Sequence, residues 1–513
     1  MEAEGKLEEL ARVKYANIIE EIDVSTRKTK MICTLGPATS TKERMVELID
    51  AGMQVARFNF SYGDHKTFGE MLENLKDAMA ERKGCNVSLM LDTKGPEIRT
   101  GILRDAEPVN IKEGQEFDIL TDFSLEGDSS RLTISYQALP DTVKVGDKIV
   151  IDEGHLILEV KECLEDSVKA VAMNDHILGE NKNVALPGCT IDLPVLTERD
   201  EIDIADFGFK EHIDILACSF TRKESDIEKI VDFIGDHRET MKIFAKIDNK
   251  ESLDNYEAIL KASDGIIISR GDLSREIPAD KVFLAQKWMI SEANALGKPV
   301  IVSNEILDSM VKKPRPSRAE AGDIANIIVD GADCIMLTHE TSVGKYPTNA
   351  AKMLVKICCE AEKTIHYKRV YEDVKRRSQT PFKFSETVAS NIASTALDMK
   401  IGVLIVFTEN GRAARTLAKY RPRQPIFVCT SDQSVLKQMS LLRGVIPYHI
   451  DKNEGIEDTV AKVINFARER AFCQEGTKAI VQTSSEGTGL KDDPVEECNM
   501  MKVYDIDADG VAN

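Results

Sequence analysis

Short apolar runs that stop at polar residues recur along this chain: KMICTLG, QVARFNFS, SLMLDTKG, DILACSF, KIFAKID, GIIISRGD, PVIVSNE and CIMLTHET. Each has the length and branched apolar content of a buried strand. Between most of them lie amphipathic stretches of helical spacing, such as KERMVELIDAG, TFGEMLENLKDAMAER and ESDIEKIVDFIGD. Strand alternating with helix implies a parallel sheet. Eight such units predict a closed (β/α)8 barrel of the TIM type, whose chemistry sits at the C-terminal ends of the strands. Arg57, Asp92, Lys246 and Asp272 stand at those ends. Loop residues are polar in any case, so about half of such positions are structural on a plain reading.

The regularity breaks after the third run. Residues 97–199 carry short alternating segments, KIVIDEG, HLILEV and SVKAVAM, which predict hairpins of an inserted β-barrel domain placed as a lid over the catalytic end. A basic, polar stretch, KTIHYKRVYEDVKRRSQTPFKF, leads to GVLIVFTENGR, QPIFVCTSD and KAIVQTSS, which predict a second α/β unit. The expected organisation is an N-terminal segment (1–24), a barrel in two parts (25–96 and 200–365), the inserted lid (97–199) and a C-terminal α/β domain (366–513).

Charge narrows the function. Lys and Arg total 67 against 87 Asp and Glu, a net charge of -20, which repels phosphate backbones and anionic lipid headgroups. Neither a nucleic-acid nor a membrane partner is expected, and an anionic substrate needs a local positive cluster. Eleven cysteines without a CxxC pair make a poor disulfide framework and read as reduced thiols. The acidic start MEAEGKLEEL lacks the apolar core of a secretory signal, and no run reaches the roughly 18 apolar residues of a spanning helix. The expected compartment is the cytoplasm.

Lys246 and Asp248 are two apart on a strand end, so a cation and a carboxylate share a face. Asp272 follows Gly271 one strand later, where a helix begins and its free N–H groups attract anions. Two carboxylates on neighbouring strands suit one hard cation, magnesium or manganese. A salt bridge from Lys246 to these carboxylates explains the spacing equally well. Arg57, Asn59 and Ser61 alternate on another strand end, and DTKGPEIRTG adds Asp92, Thr93, Lys94 and Arg99. Arginine suits bidentate phosphate binding; the neutral and acidic oxygens suit a monovalent cation.

The strings KMICTLGPAT, GMQVARFNFSYGDH, DTKGPEIRTG, ALPGCTIDLP, DGIIISRGDL, GKPVIVSNEILDSMVKKPRPSRAE and DGADCIMLTHET, in this order, resemble pyruvate kinase. The resemblance implies transfer of a phosphoryl group from phosphoenolpyruvate to ADP, giving pyruvate and ATP in glycolysis, by a homotetramer that uses magnesium or manganese and potassium. By position it implies that Asp248 and Asp272 hold the divalent ion. Lys246, Arg57 and Arg99 would meet the transferring phosphoryl group, and Asn59, Ser61, Asp92 and Thr93 the potassium ion, with Glu97 matching the residue linked to potassium dependence. Gly271 and Asp272 would take the substrate carboxylate, while Thr34, Pro37, Asn59, Tyr62 and Arg99 would contact nucleotide.

Several positions depart from the family pattern. Asp248 replaces a glutamate, and Asn304 replaces the threonine of the proton relay to the enolate, where it would also meet substrate. Tyr62, Ser274, Thr338 and His339 stand where the family has other residues. Ser303, an ordered water or His339 are alternative proton donors, and a structural role for His339 is an equal alternative. Gly411 and Arg412 before a helix suit an anionic effector or a plain helix cap. The later loop QTSSEGTG lacks the Trp and Arg of some regulated members. Two other readings therefore stay open: a catalytically weak regulatory relative, and a metal-dependent barrel lyase acting on a pyruvate enolate.

Overall fold

The computed structural model describes residues 13–82, 84–451, 455–483 and 500–507. The acidic N-terminal run MEAEGKLEEL and the part of QTSSEGTG beyond Thr483 lie outside them. All eight apolar runs form strands. Three come first: β1 (Lys30–Thr34), β2 (Val55–Asn59) and β3 (Ser88–Asp92). The chain then builds the inserted unit from β4 (Val109–Ile111), β5 (Glu116–Leu120), β6 (Arg131–Thr133), β7 (Lys148–Ile151), β8 (Leu156–Cys163), β9 (Ser167–Ala172), β10 (His176–Leu178) and β11 (Val184–Ala185). It returns with β12 (Ile215–Cys218), β13 (Lys242–Ile247), β14 (Gly265–Ser269), β15 (Val300–Ser303) and β16 (Cys334–Leu337).

β1 pairs in parallel with β2 on one side and with β16 on the other, Lys30 opposite Cys334, and the ring closes. Both faces of each barrel strand are covered, which is why the runs read as continuously apolar rather than alternating. Ile32, Val55, Met90, Ile215, Phe244 and Ile267 fill the barrel interior, and Leu441 of the C-terminal unit joins that cluster. The strands' other faces pack against the surrounding helices, including Lys42–Asp50 and His65–Ala80, started by the Thr41 and Asp64 side chains.

The inserted segment is a sheet domain of its own: a six-stranded sheet in the order β11-β7-β8-β9-β5-β6 and a ribbon of β10 with β4. Its alternation is visible in β5, where Phe117 and Ile119 are buried while Glu116 and Asp118 face solvent. In the C-terminal unit, β17 (Ile401–Phe407), β18 (Ile426–Thr430), β19 (Val445–His449), β20 (Lys478–Thr483) and β21 (Met500–Asp505) form one sheet ordered β19-β18-β17-β20-β21. Part of the basic stretch before it is helical, Tyr367–Arg377, because Tyr371 and Val374 recur on one face and join that unit's core. Among the described residues no helix is long and apolar enough to cross a membrane.

Candidate active site

The C-terminal ends of the barrel strands converge on one carboxylate. Register places Asn59 opposite Asp92, and Cys218 opposite Ala245, which brings Ser219 beside Lys246. Asp92 accepts a hydrogen bond from Arg57 Nε at 2.7 Å on Oδ2, and on Oδ1 from Lys246 Nζ at 3.1 Å. Lys246 also donates to Ser219 Oγ at 2.8 Å, and that hydroxyl donates to the Thr93 carbonyl at 2.7 Å. Arg57 is fixed from its far end by Thr34 Oγ1, which accepts from Nη1 at 2.8 Å.

Burial alone would push the Asp92 carboxyl up, but Arg57 and Lys246 outweigh it and hold the group below the ordinary carboxylate range. Burial likewise disfavours the Lys246 ammonium; Asp92, Asp272 and Asp248 overcome it and keep the group charged. Arg57 and Lys246 thus form a fixed pair of cations on one side of the site, held by Asp92 and facing the cavity. Such a site attracts an anion far more strongly than a surface lysine does.

Asp248 is buried, with Phe220 N–H donating to Oδ2 at 2.8 Å and Asn249 Nδ2 to Oδ1 at 2.8 Å. Its carboxyl is pushed up to about 7, first by burial and then by the neighbouring charge of Asp272, with Lys246 opposing. Asp272 in turn pairs with Arg275. The alternative in which Lys246 simply bridges Asp248 and Asp272 is not what forms, because the Lys246 ion pair is with Asp92. Two carboxylates crowded enough to raise a pKa are a donor set that a hard divalent cation relieves. Among the described residues no group of three or more His, Cys, Asp or Glu is placed to hold a metal ion.

These groups line a cavity of about 670 Å³ between the barrel mouth and the inserted domain. Arg57, Asn59, Ser61, Tyr62, Asp92, Arg99, Lys246, Asp248, Gly271, Asp272 and Asn304 all border it. Thr93 is buried beside the floor, Thr34 supports Arg57 from behind, and Pro37 is exposed at the start of a short turn of helix; none of the three borders the cavity. The Arg99 guanidinium is held by Glu97 at 2.6 Å and by the Asn181 carbonyl at 2.7 Å.

Other bordering groups went unsingled in the sequence. Ser219 follows an apolar strand and carries no motif, so only the neighbouring register reveals it. The inserted domain contributes Asp152, Glu153, His155 and Lys182. Asp152 ties that wall together, pairing with Lys182 at 2.9 Å and His176 at 2.9 Å.

The wall after β15 is an unusual turn. Asn304 and Glu305 both have left-handed backbones, φ 68° and 54°. Arg270 holds them there: Nη2 donates to the Asn304 carbonyl at 2.9 Å and to the Glu305 carbonyl at 2.5 Å, while Nη1 pairs with Asp323 at 2.6 Å. Gly271 lies against this turn, and a Cβ there would sit 3.2 Å from Asn304 Nδ2. The Ser303 hydroxyl is engaged by the Ile268 carbonyl at 3.2 Å, and Ser274 Oγ donates to the Gly271 carbonyl at 2.7 Å. Buried Glu340 accepts from Leu307 N–H at 2.8 Å and Thr338 N–H at 2.7 Å, stapling the loops after β15 and β16 to each other.

In the C-terminal unit Gly411 adopts φ 75°, and the N–H of Arg412 donates to Asn410 Oδ1 at 2.9 Å. Gly411 is the residue before the helix Arg412–Lys419, and no side chain of its own caps that helix.

Residues 26–351 match the family described as pyruvate kinase, barrel domain, and residues 386–504 the family described as pyruvate kinase, alpha/beta domain. A pyruvate kinase of Eimeria tenella is 41% identical over 488 residues, covering 95% of this chain and 91% of its own. The crystal structure of a pyruvate kinase from Cryptosporidium parvum superposes with a TM-score of 0.91 at 36% identity, covering 96% of this chain and 99% of that one. A Cryptosporidium parvum pyruvate kinase in complex with ADP superposes with a TM-score of 0.84 at 37% identity, covering 95% and 97%.

Proposed function

The chain belongs to the pyruvate kinase family, and from that premise we propose how its own residues carry a phosphoryl group from phosphoenolpyruvate to ADP. The observation that carries the reading is the buried Arg57–Asp92–Lys246 cluster facing the Asp248 and Asp272 carboxylates across one cavity. A transferring phosphoryl group spreads negative charge over its oxygens, and fixed cations stabilise it most when they need not reorganise. Asp92 holds Arg57 and Lys246 in place for this. Asp248 and Asp272 would hold magnesium or manganese, which supplies charge neutralisation between the substrate oxygens. Asn59, Ser61, Asp92 and Thr93 would hold potassium, and register supports this by placing Asn59 beside Asp92.

Gly271 lets the backbone approach the substrate carboxylate closely, and the N–H groups opening the helix Arg270–Glu276 would receive it. Asn59, Tyr62 and Arg99, which border the cavity, would meet the nucleotide; Thr34 and Pro37, expected there from the family resemblance, lie outside its lining. The inserted domain closes the cavity from above, so its motion would control water access. Cytoplasmic residence belongs to this reading, supported by plant relatives described as cytosolic isozymes. A homotetramer belongs to the same reading and rests on the family resemblance; an anionic effector at Gly411 and Arg412 rests on their place before the helix Arg412–Lys419.

Purified protein assayed with magnesium and potassium should form pyruvate only when both phosphoenolpyruvate and ADP are present. Pyruvate formation without ADP would favour the lyase reading, and no turnover from folded protein would favour the regulatory relative.

A further inference from the structure

Phosphoryl loss from phosphoenolpyruvate leaves an enolate, and its methylene carbon must then gain a proton to become a methyl group. On the β15–β16 side of the cavity the usual hydroxyl sources are occupied or absent. Ser303 is buried and its Oγ is engaged by the Ile268 carbonyl. Asn304 presents an amide, which is no useful acid. The Thr338 hydroxyl is turned to Glu340 at 3.4 Å, and Glu340 is itself fully buried with both oxygens accepting backbone N–H groups.

His339 differs from all of them. It borders the same cavity as Asn304, Lys246 and Asp272, and it is solvent-exposed. The Glu340 staple holds its loop against the loop carrying Asp308, which also borders the cavity. The carboxyl of Asp308 is raised by burial while the charge of His339 pulls it back, so the two groups are electrostatic neighbours. The other charged groups around them are Glu340 on the same turn as His339 and, acting on Asp308, Glu320, Arg270 and Glu153 of the inserted domain.

Building on the pyruvate kinase reading, we propose that His339 is the acid that protonates the enolate, with Asp308 its charged neighbour on the facing loop. The imidazolium N–H bond breaks as the enolate π pair forms the new C–H bond, and the enolate oxygen becomes the ketone oxygen of pyruvate. The neutral imidazole regains its proton from solvent water, which its exposure allows. His339 thus does the work that the hydroxyl relay does elsewhere, and phosphoryl transfer and proton transfer become separable by mutation.

The test uses the full-length protein with magnesium, potassium and ATP, following exchange of pyruvate methyl protons into heavy water by NMR alongside forward turnover. His339→Gln should lower exchange and kcat by about 10²-fold, leave KM for phosphoenolpyruvate and ADP unchanged, and remove the fall in kcat on the alkaline side of its pH profile. His339→Asn, a smaller amide at the same exposed position, should lower exchange and kcat to the same degree, and it decides the matter if His339→Gln fails to fold. Wild-type exchange in a folded His339→Gln or His339→Asn variant overturns the role of His339 while leaving the pyruvate kinase reading intact. A wild-type protein that forms no pyruvate at all sinks that reading first.

Discussion

The Lys246 ammonium lies 3.1 Å from Oδ1 of Asp92, in a setting where the carboxylate is almost completely buried. Each group depends on the other for its charge. Asp92 overcomes the burial that disfavours the ammonium, and Lys246 helps hold the carboxyl ionised. Lys246→Met removes a cation aimed at the developing phosphoryl charge while leaving Arg57 to satisfy Asp92. Turnover should fall about 10²- to 10³-fold, read as pyruvate formation at saturating substrates, with the fold intact by circular dichroism.

Asp272 and Asp248 share one task in the proposed site, so losing either should show first in metal dependence. Asp272→Ala should raise the magnesium concentration for half-maximal activity by at least about tenfold. It should leave the melting temperature of the metal-free protein unchanged or higher, because it relieves the charge crowding that pushes Asp248 up. A magnesium titration and a thermal melt check the two halves separately.

Glu276 borders the same cavity, and burial raises its carboxyl to about 6 from an ordinary 4.5. The folded protein therefore binds this proton more tightly than the unfolded chain does. Its contribution to stability is fully present below pH about 4.5 and is lost as pH rises through about 6. A shift of this size corresponds to about 2 kcal/mol. Urea denaturation across that window should show a smaller loss of stability with rising pH for Glu276→Gln than for the wild type.

Asn304 sits at φ 68°, a conformation asparagine accepts and branched residues resist. Asn304→Val should cost about 1–2 kcal/mol in denaturant titration, whereas Asn304→Gly should cost little. Asn304→Thr restores the hydroxyl of the family pattern but places a branched side chain at the same backbone. Its loss of stability should precede any gain in turnover, and comparing the melting temperature with kcat distinguishes the two effects.

How much of this was legible beforehand depends on the range of the interaction. The eight barrel strands declare themselves because burial on both faces demands unbroken apolar runs such as GIIIS. The hairpins of the inserted domain show because half-burial demands alternation, as in HLILEV. Strand β19, VIPYH, carries a proline and only one fully buried residue, so neither signal marks it. At the site, Lys246, Asp248 and Asp272 stand out because charge at the end of an apolar strand is conspicuous. Ser219 does not, since a serine after a strand is ordinary until Lys246 is seen beside it. The left-handed turn at Asn304 was equally hidden, because its cause is an arginine 34 residues away in sequence. The wall from Asp152 to His155 depends on how one domain sits over another, which no local pattern encodes.

Closure of the ring between its first and last strands sets a schedule for the ribosome. Lys30 needs Cys334 as a ladder partner, and the N–H groups of Lys28 and Thr29 need the Glu362 carboxylate, so one edge of the earliest strand stays without its native neighbour until most of the chain has been made. At synthesis rates of about 5–20 residues per second that is a wait on the order of 15 to 60 s. During it the nascent chain exposes an apolar strand edge, and holding that edge soluble is a task for the cell's chaperones before any catalysis begins.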